Sequence, residues 1–445
     1  MEAPLFIGLL LACALLGLPM LYAVIAGLVM FFLFGLGRGI SAGRLFRAMV
    51  PGFRKSLIVV VVILLMGAMS AAWRASGLMA LLVAHGLSLI YAPLFLLFAF
   101  LLCAGFSFIL GSSLGAASVM GILVFTLGRA GGVAPLPTAG AILSGIYFGD
   151  RASFLSSSAL LVSTLCRVEH RAHLRAMQKS AVFPFLASAA LYALLCLFFP
   201  FDPGRAREVL SLREFFELGN PLLWLPLAFV FLPAFTRISL PYSIALSAIA
   251  ASALAIGIQG VDAAAALRYL IFGFSRPIDH PQLSLLYGGG LLSMVKPMLV
   301  VFFSGALPPL LKELGTLGPY QDRLAALAAK SNPFAAALAS GIAASAAGCS
   351  QTLAVFLQAP LLEKVYPEGR NEKKALAMGN SSILISALVP WNIAMAAPLA
   401  IIGASAASGL FAFYLYLTPF MALAAEARHA ALPGSMAGGT DTRRS

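Results

Sequence analysis

Between Leu57 and Gly128 the chain passes through apolar runs at 57 to 72, 78 to 92 and 93 to 110, and then on to Gly128, with Arg74 as the one Lys, Arg, Asp or Glu in the whole stretch. Such a stretch belongs in a bilayer, whose hydrocarbon core of about 30 Å takes about 20 apolar residues per helix. The remainder follows the same pattern: 61% of the 445 residues are hydrophobic and 10% charged, with a mean hydropathy of +0.97, whereas soluble domains average about 25% charged. The alternation of barrel strands is absent, so backbone groups must be satisfied within helices. The expected fold is all-α, a polytopic helical membrane protein with roughly ten to thirteen spans or half-spans.

The net charge of +13 lies in short interhelical loops and reads as a topology signal rather than a nucleic-acid surface. Arg38, Arg44, Arg47, Arg54 and Lys55 fall in the loop 38–55, Arg167, Arg171 and Lys179 in 167–179, and Lys364, Arg370, Lys373 and Lys374 in 363–374. All three loops are placed on the cytoplasmic face of a cell membrane, against anionic lipid. Segment 201–220 balances three arginines with four acids and is placed outside. Glu2 and the lack of a basic n-region argue against a cleaved signal peptide, and the run 4–36 reads as two short helices folded at Pro19. Cys13, Cys103, Cys166, Cys196 and Cys349 lie mostly inside apolar runs without metal-ligand spacing, so neither a zinc site nor a disulfide framework is expected, and no cofactor.

An internal repeat is visible. Gly67-Ala68-Met69 through Gly77-Leu78 resembles Gly305-Ala306-Leu307 through Gly315-Thr316 at an offset of 238, and Gly111-Ser112-Ser113 resembles Gly348-Cys349-Ser350 at 237. Basic loop 38–55 corresponds to 275–292, where Arg276 is the one Lys or Arg; basic loop 363–374 corresponds to 126–137, where Arg129 is. Under the positive-inside rule this exchange marks inverted repeats. The expected organisation is a first repeat over 1–200 with re-entrant hairpins or broken helices near 111–128 and 139–164, an inter-repeat loop and connecting helix over 201–240, a second repeat over 241–426, and a disordered polar tail over 427–445.

One stretch breaks the apolar pattern in mid-run. In Ala139 to Thr164 an apolar, small-residue segment reaches Gly149, meets Asp150 and Arg151, and continues with Ser153, Ser156, Ser157 and Ser158. A carboxylate and hydroxyls between two short apolar segments are the one-dimensional form of a membrane-embedded polar site. The polar positions of the first half are Ser112, Ser113, Asp150, Ser153, Ser156 and Ser157. In the second they are Ser350, Gln351 and Thr352, then Asn380, Ser381, Ser382, Ser386, Pro390, Trp391 and Asn392. Hydroxyls, amide oxygens and one carboxylate are hard ligands suited to a small cation, which makes Asp150 the candidate cation ligand. Asp150 also fits a helix cap or a partner for Arg151, the serines also suit close helix packing, and Trp391 suits either an interfacial anchor or a gate. Lys296, beside Pro297, has four readings: a partner of Asp150, a substitute for a bound cation, a counter-charge for an anion, or a side chain snorkelling to the interface. Snorkelling is the reading for Arg74 and Lys312, and a solvated loop that for His280.

GSSLGAASVMGILVF, PTAGAILSGIYFGDRASFLS and SALVPWN with its preceding NSS resemble the NhaC-type sodium/proton antiporters of the ion transporter superfamily over about Leu57 to Ser405. The specific pieces are Ala139 to Asp150 and Leu388-Val389-Pro390-Trp391-Asn392. The resemblance implies an inverted-repeat fold with two re-entrant hairpins and ion-coupled alternating access. The chain also departs from the family: GDKxSPLSDTT is replaced by GDRASFLSSS, with Ser157 at the place of the second aspartate, and Gly379-Asn380 stands where an acidic pair is usual. The expected function is secondary transport, exchanging sodium or another small cation for protons, with Asp150 titrating and Ser153, Ser156, Ser157, Asn380, Ser381 and Asn392 completing its shell. A small organic anion or carboxylate held by Lys296 or Arg151 is the alternative substrate, and a non-transporting scaffold the third reading. No enzyme and no nucleic-acid partner are expected, and a homodimer stays open.

Overall fold

The computed structural model describes residues 6, 8–9, 13, 20–89, 91–209, 215–232, 236, 238–275, 287–315, 318–348 and 350–431. Among these the protein is helical, with a single isolated bridge between Phe274 and Gly288 in place of any sheet. Four helical segments are long and apolar enough to cross a bilayer: Ala92–Leu110, Ser113–Ala130, His170–Leu195 and Leu291–Leu311. A fifth is the pair Asn371–Leu388 and Ile393–Ile402, bent by 49°. Large apolar side chains such as Phe183, Leu197, Phe198, Tyr242 and Ile249 are exposed on the outside, as a lipid-facing surface requires. The protein is thus an all-α polytopic membrane protein. Pro19, Arg276, Pro277, His280, Pro281 and Cys349 lie outside the described residues, as do the side chain of Lys312 and the chain beyond 431. The last helix continues to Ala431, past the point where the polar tail was expected, because its alanines, Glu426 and Arg428 are good helix formers.

The helices that position the polar residues are α1 (Met20–Gly37), α2 (Ala42–Ala75), α3 (Leu78–Leu89), α4 (Phe95–Leu110), α5 (Ser113–Ala130), α6 (Pro135–Ala152), α7 (Ser157–Leu165) and α8 (His170–Leu195). In the second half they are α9 (Leu240–Gly257), α10 (Val295–Ser304), α11 (Leu307–Glu313), α12 (Pro333–Gly348), α13 (Gln351–Leu361), α14 (Asn371–Asn380), α15 (Ile393–Ile402) and α16 (Phe413–Ala431). The order recurs. A helix (α4, α12) breaks at a serine cap and resumes (α5, α13), turns back (α6, α14), breaks again, and continues (α7, α15) into a long closing helix (α8, α16).

Contacts recur reciprocally as well. The first-half helix α7 packs on α13 and its counterpart α15 packs on α5; α8 packs on α14 and its counterpart α16 on α6. Two glycine crossings give residue-level detail. A Cβ on Gly52 would stand 2.2 Å from the Gly305 carbonyl oxygen, and one on Gly67 would stand 2.6 Å from that of Gly290. Gly52 and Gly290 are separated by 238 residues, as are Gly67 and Gly305. Position i therefore meets j of the other half while j meets i, the pattern of a two-fold axis. Because the early glycine of each pair meets the late one, these corresponding segments run antiparallel.

Each break is closed by its own cap. The side chains of Ser112, Ser156, Ser350 and Asn392 accept from the amides of Gly115, Ala159, Leu353 and Ala394, which satisfies donors that water would otherwise serve. Close packing brings the first break inward: a Cβ on Gly149 would stand 2.2 Å from the Ser107 carbonyl carbon, and one on Gly145 would stand 2.6 Å from the Phe100 oxygen. These two glycines, one turn apart, let α6 lie directly on α4.

Candidate functional site

Asp150 lies in the last turn of α6 and is 5% exposed. Its Oδ1 accepts from the Ser113 amide at 3.4 Å, and its Oδ2 accepts from Ser158 Oγ at 3.1 Å and from Gln351 Nε2 at 2.9 Å. Those donors come from the start of α5, the start of α7 and the start of α13. The carboxylate is therefore held where broken helices from both halves meet. Gln351 also donates to the Ile383 carbonyl at 3.1 Å, so its amide ties Asp150 to the segment after α14. Ser156 donates to the main-chain oxygen of Asp150, and the single Ser158 proton is shared between that oxygen at 2.8 Å and Oδ2, so both serines hold the break against the end of α6. A π turn over Ala117–Gly121 lies just below Ser113, a distortion frequent at functional sites.

The carboxylate borders a cavity of about 560 Å³ whose polar wall includes Ser56, Ser112, Ser113, Ser157, Gln351 and Thr352. Tyr147, one turn before Asp150, also lines it and donates to the Ala394 carbonyl at 2.5 Å, joining α6 to the start of α15. Among the described residues no Lys, Arg or His forms an ion pair with Asp150. Three neutral donors, each worth about 1.5–3 kcal/mol to a charged acceptor, are what the protein supplies. A carboxylate so placed is neutralised by a bound cation or by a proton.

Arg151, the next residue, points elsewhere and is fully buried. Its Nε donates to the Gly379 carbonyl at 3.1 Å, Nη1 to Tyr414 Oη at 3.0 Å, and Nη2 to Ser180 Oγ at 2.6 Å and to Asn380 Oδ1. All four acceptors are neutral, so the pairing of Asp150 with Arg151 anticipated as one alternative is not formed. Helical geometry accounts for the split, since neighbouring residues are turned about 100° apart.

The remaining residues expected at the site divide into two groups. Ser112, Ser113 and Ser157 line the cavity with Asp150. Ser153 and Ser156 are buried in the break, where Ser153 Oγ accepts from the Leu155 amide at 3.1 Å. Of the second-half positions, Asn380, Ser381, Ser382, Ser386 and Asn392 are not brought to the carboxylate. Asn380 gives its oxygen to Arg151. Ser381 accepts from Gln358 Nε2 at 2.9 Å, and Ser382 donates to Gln358 Oε1. Ser386 donates to Ser345 Oγ at 3.0 Å, and Asn392 Nδ2 to the Ser345 carbonyl at 2.8 Å. Each is engaged by α12 or α13, or by Arg151, because a polar group in a bilayer takes the nearest protein partner. Trp391 is buried and donates to the Ala346 carbonyl at 2.9 Å, a packing lock rather than an interfacial anchor. Lys296 is exposed on α10 and forms no ion pair with Asp150. Gln351 and Ser158 had appeared only as neighbouring polar positions. For Gln351 the usable signal was its place directly after Ser350, the residue matched to Ser113 at an offset of 237.

Broken helices that enclose a buried carboxylate, free of any ion pair among the described residues, in an apolar bundle are the arrangement of a secondary transporter. The Na+/H+ antiporter family matches residues 145–425, and the chain belongs to that family. It is 30% identical over 390 residues to the Malate-2H(+)/Na(+)-lactate antiporter of Bacillus subtilis (strain 168), covering 85% of this chain and 82% of that protein. It is 25% identical over 394 residues to the Na(+)/H(+) antiporter NhaC of Alkalihalophilus pseudofirmus, covering 84% and 83%. The NhaC antiporter of Bacillus subtilis (strain 168) is 24% identical over 386 residues, covering 85% of each chain.

Proposed function

We propose that the protein exchanges sodium or another small cation for protons across the cytoplasmic membrane, and that Asp150 is the group for which cation and proton compete. The observation that carries this reading is a carboxylate held by three neutral donors, free of any ion pair among the described residues, on the wall of a 560 Å³ cavity. Asp150 with the hydroxyls of Ser113 and Ser157 forms the cation shell; Ser158 and Gln351 position the carboxylate. The antiporters named above support the substrate pair. The antiparallel glycine crossings support inverted repeats, and with them alternating access by rocking one half against the other. The expected basic loops are largely helical, and Lys179 of α8, with Arg370 and Lys373 at the start of α14, lines a second cavity, which supports placing segments 167–179 and 363–374 on one face, read as cytoplasmic from their charge.

The test is sodium-dependent collapse of a pH gradient in everted vesicles. The activity is expected in the unaltered protein and absent in Asp150→Asn. A gradient indifferent to sodium, lithium and potassium at every pH tried, with the protein folded in the membrane, would overturn the reading.

A further inference from the structure

The second cavity measures about 820 Å³ and lies between α8, α14, α16 and the start of α12. Its lining is rich in donors: Lys179, Arg370 and Lys373 at the mouth, Ser180 and Asn380 deeper in, and Tyr366 on the wall. The three cations are exposed and have no carboxylate partner among the described residues. Tyr366 is 3% exposed, and its buried hydroxyl has no hydrogen-bond partner. Burial, with the Glu426 charge a lesser cause, holds that phenol well above its ordinary range, so it stays an O–H donor.

Asn380 adds polarity of the same sign. Arg151 only donates, so the amide oxygen of Asn380 must face it; Ser180 Oγ, whose proton goes to the nearer Met177 carbonyl at 2.9 Å, stands 3.4 Å from the same oxygen. The amide nitrogen, which has no protein partner among the described residues, is left on the side of the cavity that Asn380 lines. A buried cation thus turns a neutral amide into a fixed donor. The one carboxylate on the wall, Glu426, is already engaged, accepting from the Phe334 amide at 2.9 Å.

We infer that this cavity binds a small anion bearing carboxylate groups, with one carboxylate received by Asn380 Nδ2 and the Tyr366 hydroxyl and the surplus mouth charge favouring a dianion. The site is separate from Asp150. Lone cations at a mouth are also what the positive-inside rule leaves on a cytoplasmic loop. The unpartnered phenol and the oriented amide are what that rule does not explain.

The full chain in phosphatidylcholine nanodiscs should bind succinate in calorimetric titration, more tightly than acetate. Asn380→Asp, whose new carboxylate pairs with Arg151 and so keeps the protein folded, should weaken succinate by about tenfold or more, and Tyr366→Phe by about three- to tenfold. Asp150→Asn should leave succinate binding in place. Absence of saturable succinate binding, or binding unmoved by both cavity variants, would overturn the inference. So would displacement of succinate by phosphatidylglycerol in the disc, which would assign the same donors to a lipid phosphate.

Discussion

Asp150 and Arg151 are adjacent in sequence and equally buried in apolar protein, yet they are treated in opposite ways. Arg151 has four acceptors, from α8, α14 and α16, and its guanidinium is fixed as a structural cation. Asp150 has three donors and an open cavity at its side. Burial alone therefore does not mark function in a membrane protein. A charge enclosed by its acceptors holds helices together, whereas a charge left beside empty volume is available to a ligand.

That contrast can be broken by substitution, and the largest effect is expected at Asp150. Asp150→Asn should reduce cation-dependent proton flux in everted vesicles to background while leaving the melting temperature of the purified protein near that of the parent. Arg151→Gln should do the reverse. It strips acceptors of their partner at about 1–3 kcal/mol for each buried group left unsatisfied, so the melting temperature should fall markedly; an unchanged value would deny Arg151 its structural role. Gln351→Ala removes one donor to the carboxylate and one tie to Ile383, and should shift the sodium concentration for half-maximal flux by about tenfold. The smallest effect is expected at Lys296. Lys296→Gln should leave flux and stability unchanged, because that side chain is exposed and unpaired with Asp150; a lost or strongly weakened flux would return Lys296 to the mechanism.

The fold class was legible because a bilayer imposes a length and a polarity on every helix, and runs such as 93 to 110 meet both. The close helix crossings were legible in glycines, since contacts like Gly52 on Gly305 exclude any side chain. Asp150 and Ser113 were legible as charge and hydroxyl intruding on apolar sequence. What escaped was which way a polar group faces. Asn380, Ser381, Ser382, Ser386 and Asn392 sit beside breaks as a ligand shell would, but their partners, Arg151, Gln358 and Ser345, come from elements distant in the chain. The same holds for Gln351, whose long amide spans from one half to the carboxylate of the other. The cavity around Tyr366 was beyond reach for that reason too, its walls being drawn from four separate helices.

Competition between cation and proton at Asp150 is tested most directly on purified protein in weakly buffered detergent, by following a pH indicator as sodium is added. Proton release that saturates with sodium is expected in the unaltered protein and is expected to be absent in Asp150→Asn. Sodium binding without proton release, or release undiminished in the variant, would contradict it.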